Sequence, residues 1–165
     1  MSSVRSDQPL IPSVLDRLLD DEPTKGVEAP KSRTQVLREM KLSVRRDLEN
    51  LLNTRWRSAS WPRHFEELEV SLLSYGLPDI TGADLASAAR REDFRRTMER
   101  VIRQFEPRLT KVTVALLDPG GETVDRTLRF RIEGLLRVDP APEPVAFDSA
   151  VEPATGNVEV KGAAA

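Results

Sequence analysis

The chain has 165 residues, 39% of them apolar and 32% charged, with a net charge of −2, a single His and no Cys. That is enough chain for one domain with a hydrophobic core. It excludes disulfides and thiolate chemistry, speaks against a zinc site and gives no overall basic footprint for nucleic acid.

The chain is expected to divide into a flexible segment over 1–11, a single domain over 12–160 and a frayed tail over 161–165. No stretch approaches the roughly 20 apolar residues that span a bilayer. The N-terminus has no signal-peptide core, so the expected address is the cytoplasm. "PSVLDRLLD", 12–20, reads as a short helix with Ser13 as N-cap and Val14, Leu15, Leu18 and Leu19 as an apolar stripe. A Pro- and Gly-bearing loop follows over 21–31. Ser32 can cap the next helix, whose Leu37, Met40, Val44, Leu48 and Leu51 recur at steps of three and four. About 22 helical residues at ~1.5 Å each make a rod of roughly 33 Å.

The stretch from Arg57 is broken by Pro62, Gly76, Pro78 and Gly82, with one short helical or extended piece around 67–73 and a turn at "YGLPD". Thr81 or Asp84 can start a short helix. A firm helix is predicted over 91–105, with Phe94, Met98, Val101, Ile102 and Phe105 on one face. After Pro107 the period becomes two. Val112, Val114 and Leu116 alternate, "DPGGE" (118–122) makes a hairpin turn, and Leu128, Phe130, Ile132, Leu136 and Val138 return with one parity. Gly134 marks a bulge or a close backbone approach. "DPAPEP", 139–144, is a connection, and "VAFDSAVEPATGNVEV" supplies two more strands around a Gly-containing turn. The fold class is α+β, with N-terminal helices packed on one face of a C-terminal antiparallel sheet.

Candidate chemistry is sparse. His64 in "WPRHFEELE" has no nucleophile-elbow context. Glu66, Glu67 and Glu69 offer carboxylate pairs of the kind a glycosidase needs across a cleft, but a solvated acidic face is the simpler reading. Asp20, Asp21 and Glu22 are adjacent rather than spaced as a cation loop requires. Arg90, Arg91, Arg95, Arg96, Arg100 and Arg103 alternate with Glu92, Asp93 and Glu99, which suits helical ion pairing and, for some of the arginines, a protein contact.

Glu106-Pro107-Arg108 lies where the helix gives way to strand. Proline there can be plain punctuation. It also pushes Glu106 out of the α region, and in extended chain residues 106 and 108 point the same way. An acid and a guanidinium held stiffly side by side suit a protein–protein socket. Both readings stand on the residues alone.

Four stretches, "PSVLDRLLDDEP", "LLSYGLPD" (72–79), "FEPRL" (105–109) and "FDSAVEPATGNVEV", together resemble the TssE family of type VI secretion baseplate subunits. That family is related to the small "lysozyme-like" wedge protein of contractile phage tails. The stretches run in family order and span roughly residues 10–160. The resemblance implies a non-enzymatic baseplate component with no catalytic residue, cofactor or metal. It implies that Glu106, Pro107 and Arg108 dock on the wedge core of TssF and TssG. It further implies that the sheet stands where the sheath of TssB and TssC begins, offering an edge to sheath segments by β-augmentation. No nucleic acid and no membrane insertion enter this picture. The rival, drawn from the family label, is a peptidoglycan-cleaving glycosidase.

Overall fold

The computed structural model describes residues 14–18, 31–56, 64–79, 87–117, 127–152 and 154–162. Ser13, the acids at 20–22, the proposed helix starts at Thr81 and Asp84 and the "DPGGE" turn lie outside them. The described elements are helices α1 (Val14–Leu18), α2 (Arg33–Asn53), α3 (Glu66–Glu69) and α4 (Ala88–Phe105), then strands β1 (Leu109–Leu117), β2 (Leu128–Leu136), β3 (Glu143–Val151) and β4 (Val158–Gly162). A 3-10 turn at Leu72–Ser74 follows α3. The α+β expectation is met: an antiparallel sheet in the order β1-β2-β3-β4 carries helices on one face, with α4 over β1 and α2 over β4.

α2 begins as its sequence dictates. The Ser32 hydroxyl accepts from the Gln35 N–H while the Gln35 side chain accepts from the Ser32 N–H, which satisfies two of the donors a helix start leaves bare. Its Val44, Leu48, Leu51 and Leu52 are buried. On α4 the buried residues are Phe94, Met98, Val101 and Ile102. That helix starts a turn earlier than the apolar period suggested, because Ala88–Arg90 are exposed and leave no stripe to read.

The inner face of the sheet comes from alternate residues, among them Val114, Phe130, Ile132, Phe147, Val151, Val158 and Val160. The alternation fails once. Leu109 and Val112 are both buried because β1 bulges between Thr110 and Thr113, with Lys111 at φ 51°. The extra residue absorbs the parity change. Gly134 of β2 is the residue that faces this bulge, while its register with β3 stays straight. It is also a close approach: a Cβ would stand 3.3 Å from the Thr110 carbonyl oxygen.

Candidate functional site

The α4–β1 junction is a turn. α4 ends at Phe105, and the Glu106 carbonyl accepts from Leu109 N–H at 3.1 Å. Pro107, whose ring fixes φ, occupies the second turn position where it is favoured. Glu106 does leave the α region, at φ −118° and ψ 78°, but the triplet is not the outward-facing extended tooth that the sequence suggested. Glu106 is 4% exposed. Its carboxylate receives Arg108 through two parallel bonds, Nε to Oε1 at 2.7 Å and Nη2 to Oε2 at 2.5 Å, and also the Arg108 backbone N–H at 3.2 Å. The acid and the guanidinium do lie side by side, as expected, but they face inward and bind each other.

The Arg108 guanidinium reaches further, to Asp47 Oδ2 at 2.6 Å and Ser43 Oγ at 3.1 Å on α2. Beyond it, Asp16 of α1 accepts from the Ser43 hydroxyl at 2.6 Å and from Arg46 at 2.9 Å. Three carboxylates, Asp16, Asp47 and Glu106, thus surround two guanidiniums, Arg46 and Arg108. The hydrogen bonds that Arg108 donates to Glu106 raise the Arg108 pKa above its ordinary value against the opposing effect of burial. This network joins α1, α2 and the α4–β1 turn, which are far apart in sequence. Asp47 gave no sequence signal beyond its place between Val44 and Leu48, at the edge of the buried stripe.

α1 is held by its polar side. Asp16 faces the network while Val14, Leu15 and Leu18 are 72%, 55% and 74% exposed. The period identified the stripe, and the structure turns it outward. Leu15 forms one wall of a groove of about 540 Å³, completed by Leu51, Tyr75, Phe105, Pro107 and Arg108, with Asp47 and Glu106 among its lining. Tyr75 packs edge-on against Phe105, centroids 5.2 Å apart. Its phenol pKa is raised, first by burial and then by the charges of Asp47 and Glu106. Exposed Pro107 stands at the rim. The groove is therefore apolar-walled, with the Arg108 guanidinium and its carboxylate partners Asp47 and Glu106 among its lining.

The arginines of α4 have a structural task. Arg95 bonds Glu92 and Glu99, and also donates to the Val114 carbonyl at 3.2 Å. Arg103 donates to the Val112 carbonyl at 2.6 Å and to Glu99 at 2.7 Å. Both carbonyls point off the outer edge of β1. The far edge of the sheet is treated alike. Asn53 of α2 clasps β4, donating to Val158 O and accepting from Val158 N–H, both at 2.8 Å, and Arg45 donates to Val160 O at 3.1 Å. Helix side chains occupy the ladder positions that another strand would use, one way of blunting a sheet edge.

The remaining candidates stay apart. His64 is exposed and lies tilted against Phe65. Glu67 and Glu69 are exposed on α3 and line neither of the two described clefts. Among the described residues no cluster of His, Asp or Glu could hold a metal ion, and no helix is long and apolar enough to cross a membrane.

The model of the family described as baseplate wedge protein gp25 matches residues 38–141. A solved structure described as the baseplate complex from the type VI secretion system is similar, with 22% identity, 72% of this chain and 96% of that chain covered, and a TM-score of 0.48. No curated protein matches the chain.

Proposed function

Since the chain belongs to the gp25 family of baseplate wedge proteins, we propose that it is a TssE-like, non-enzymatic adaptor of a type VI secretion baseplate in the cytoplasm. It docks on the wedge core of TssF and TssG and presents its sheet to the first sheath segments of TssB and TssC. The observation that carries the docking surface is the groove beside Pro107. Its walls are apolar and open, and its rim proline is held rigidly by a turn that the Glu106–Arg108 pair pins from within. Glu106 and Arg108 act by positioning; Pro107, Leu15 and the ring edges of Tyr75 and Phe105 make the contact. Exposed apolar residues around a well-packed pocket are where binding energy concentrates.

This division of labour selects the test. Arg108→Ala is a poor probe, because it leaves the buried Glu106 carboxylate without its guanidinium. Leu15→Asp changes an exposed side chain, and Pro107→Asp an exposed one at a turn position that other residues also accept, so both leave the Glu106–Arg108 pair in place. Co-purification of the TssF–TssG core with wild type and with each variant, folding being checked by circular dichroism, is expected to show retention of wild type alone. Equal retention of all three folded proteins would move the docking surface elsewhere, first to the exposed face of α4.

A further inference from the structure

Among the described residues, helix side chains occupy outward backbone groups of β1 and β4, and one stretch of β3 has no strand beside it. β4 pairs with β3 only from Phe147 to Val151. Glu143–Ala146 of β3 pair with β2 on one side and with no described strand on the other.

Hydrogen-bond directions there follow from the ladder. Val158 and Val160 turn their polar backbone groups away from β3, toward Asn53 and Arg45. Antiparallel pairs alternate between bonded and non-bonded, so the partners of those two, Val151 and Ser149, point toward β2, and Asp148 and Ala150 point toward β4. By the same parity the Ala146 N–H and C=O and the Pro144 C=O face the open edge. Proline supplies an acceptor but no donor, so the edge carries a short, defined set of groups.

A cleft of about 700 Å³ curls round this edge. On the helix side it has Arg38, Lys41, Leu42 and Arg45 of α2 against Val145 and Phe147. Four cations line it, Arg38, Lys41, Arg45 and Lys111, against one carboxylate, Glu133. Lys41 already holds a carboxylate, that of Glu143 at 3.6 Å. Among the described residues no ion pair engages Arg38 or Lys111.

We infer that Glu143–Ala146 of β3 is a binding site for an extended acidic segment of a partner, which joins the sheet there as an added strand. Main-chain bonds to Ala146 and Pro144 fix its register, and its helix-side side chains fill the cleft, apolar ones against Leu42, Val145 and Phe147 and acidic ones against Arg38 and Lys41 of α2. The inference deepens the reading that this sheet receives an extended partner strand and rests on that part of it alone.

The test uses the full chain and two fluorescent peptides with Thr at every second position, the positions between carrying Val and Asp in one and Val and Lys in the other. The Asp peptide is expected to bind by anisotropy and to slow exchange of the Ala146 amide, while the Lys peptide does neither. Arg38→Glu, on an exposed position, should weaken binding about tenfold by placing like charges together. Ala146→Pro removes an outward N–H without taking a bond from β2, so it should lower affinity in a protein that melts normally. Equal binding of the two peptides, protection along β1 instead, no binding, or pairing of two copies of the chain through this edge would each overturn the inference. Peptide binding is read without the wedge core, so its failure leaves the docking reading standing, and loss of wedge-core docking leaves this one standing.

Discussion

Two clusters in this molecule are built from the same acids and arginines and do different work. On α4, Glu92, Arg95, Glu99 and Arg103 form an i,i+3 and i,i+4 ladder whose ends, Glu92 and Arg103, are 40% and 57% exposed, while Arg95 and Glu99 between them lie against the β1 edge. At the α4–β1 turn, Glu106 and Arg108 form a pair with only 5% and 24% of the side chains exposed. Exposed helical pairs contribute little each. A pair taken out of water is different: removing one member strands the other in a place where solvent cannot replace it. The first cluster covers an edge, and the second fixes the geometry of a turn.

The sharpest way to break that contrast is Glu106→Ala. It strips the Arg108 guanidinium of its two-pronged partner and is expected to cost about 2–4 kcal/mol of stability in urea unfolding. A cost no larger than that of an α4 ladder variant would erase the distinction. Asn53→Ala comes next. It leaves the Val158 N–H and C=O without their clasp and should cost about 1–3 kcal/mol, with faster amide exchange at β4 as its local sign.

A pH series probes the ladder. Glu92 is held at a pKa of about 2, below its ordinary 4.5, first by its hydrogen bond from Arg95 and then by that from Arg96. A group depressed in the folded state stabilises above its unfolded pKa and loses that contribution as pH falls through the folded one. The difference in urea midpoint between wild type and Glu92→Gln should therefore be present near neutrality, shrink from pH 4.5 toward 2, and diminish with added salt. A difference that grew on acidification would contradict the assignment. The smallest effect belongs to Arg131→Ala. Its cross-strand pair with Asp148, 2.7 Å apart, lies on the open face of the sheet with both side chains 41% exposed, and the melting temperature should not move measurably.

What the sequence disclosed followed periodicity and caps. The stripe of α2, the Ser32 cap, the buried face of α4 and the parity of β2 are local, because each depends on residues a few positions apart. Other features depend on who packs against whom. The period marks Val14, Leu15 and Leu18 as sharing a side of α1 but does not say that Asp16, on another side, would meet Arg46 and Arg108. The bulge at Lys111 needs the register of β2 to be visible. The arginines of α4 read as ordinary surface pairing because Glu92 and Glu99 account for them; only the sheet shows that Arg95 and Arg103 also end on carbonyls of β1. That Glu106 and Arg108 lie side by side was legible in the spacing, but that they bind each other and face inward was not, since this is set by the turn and by Asp47.

The side chains that sit on the outer carbonyls of β1 and β4 also bear on how the protein behaves when many copies are crowded together. A bare strand edge on a free subunit invites a second copy to zip onto it, and the tendency rises with concentration. With guanidinium and amide groups already seated on those carbonyls, copies brought side by side find fewer free groups on these two edges through which to pair.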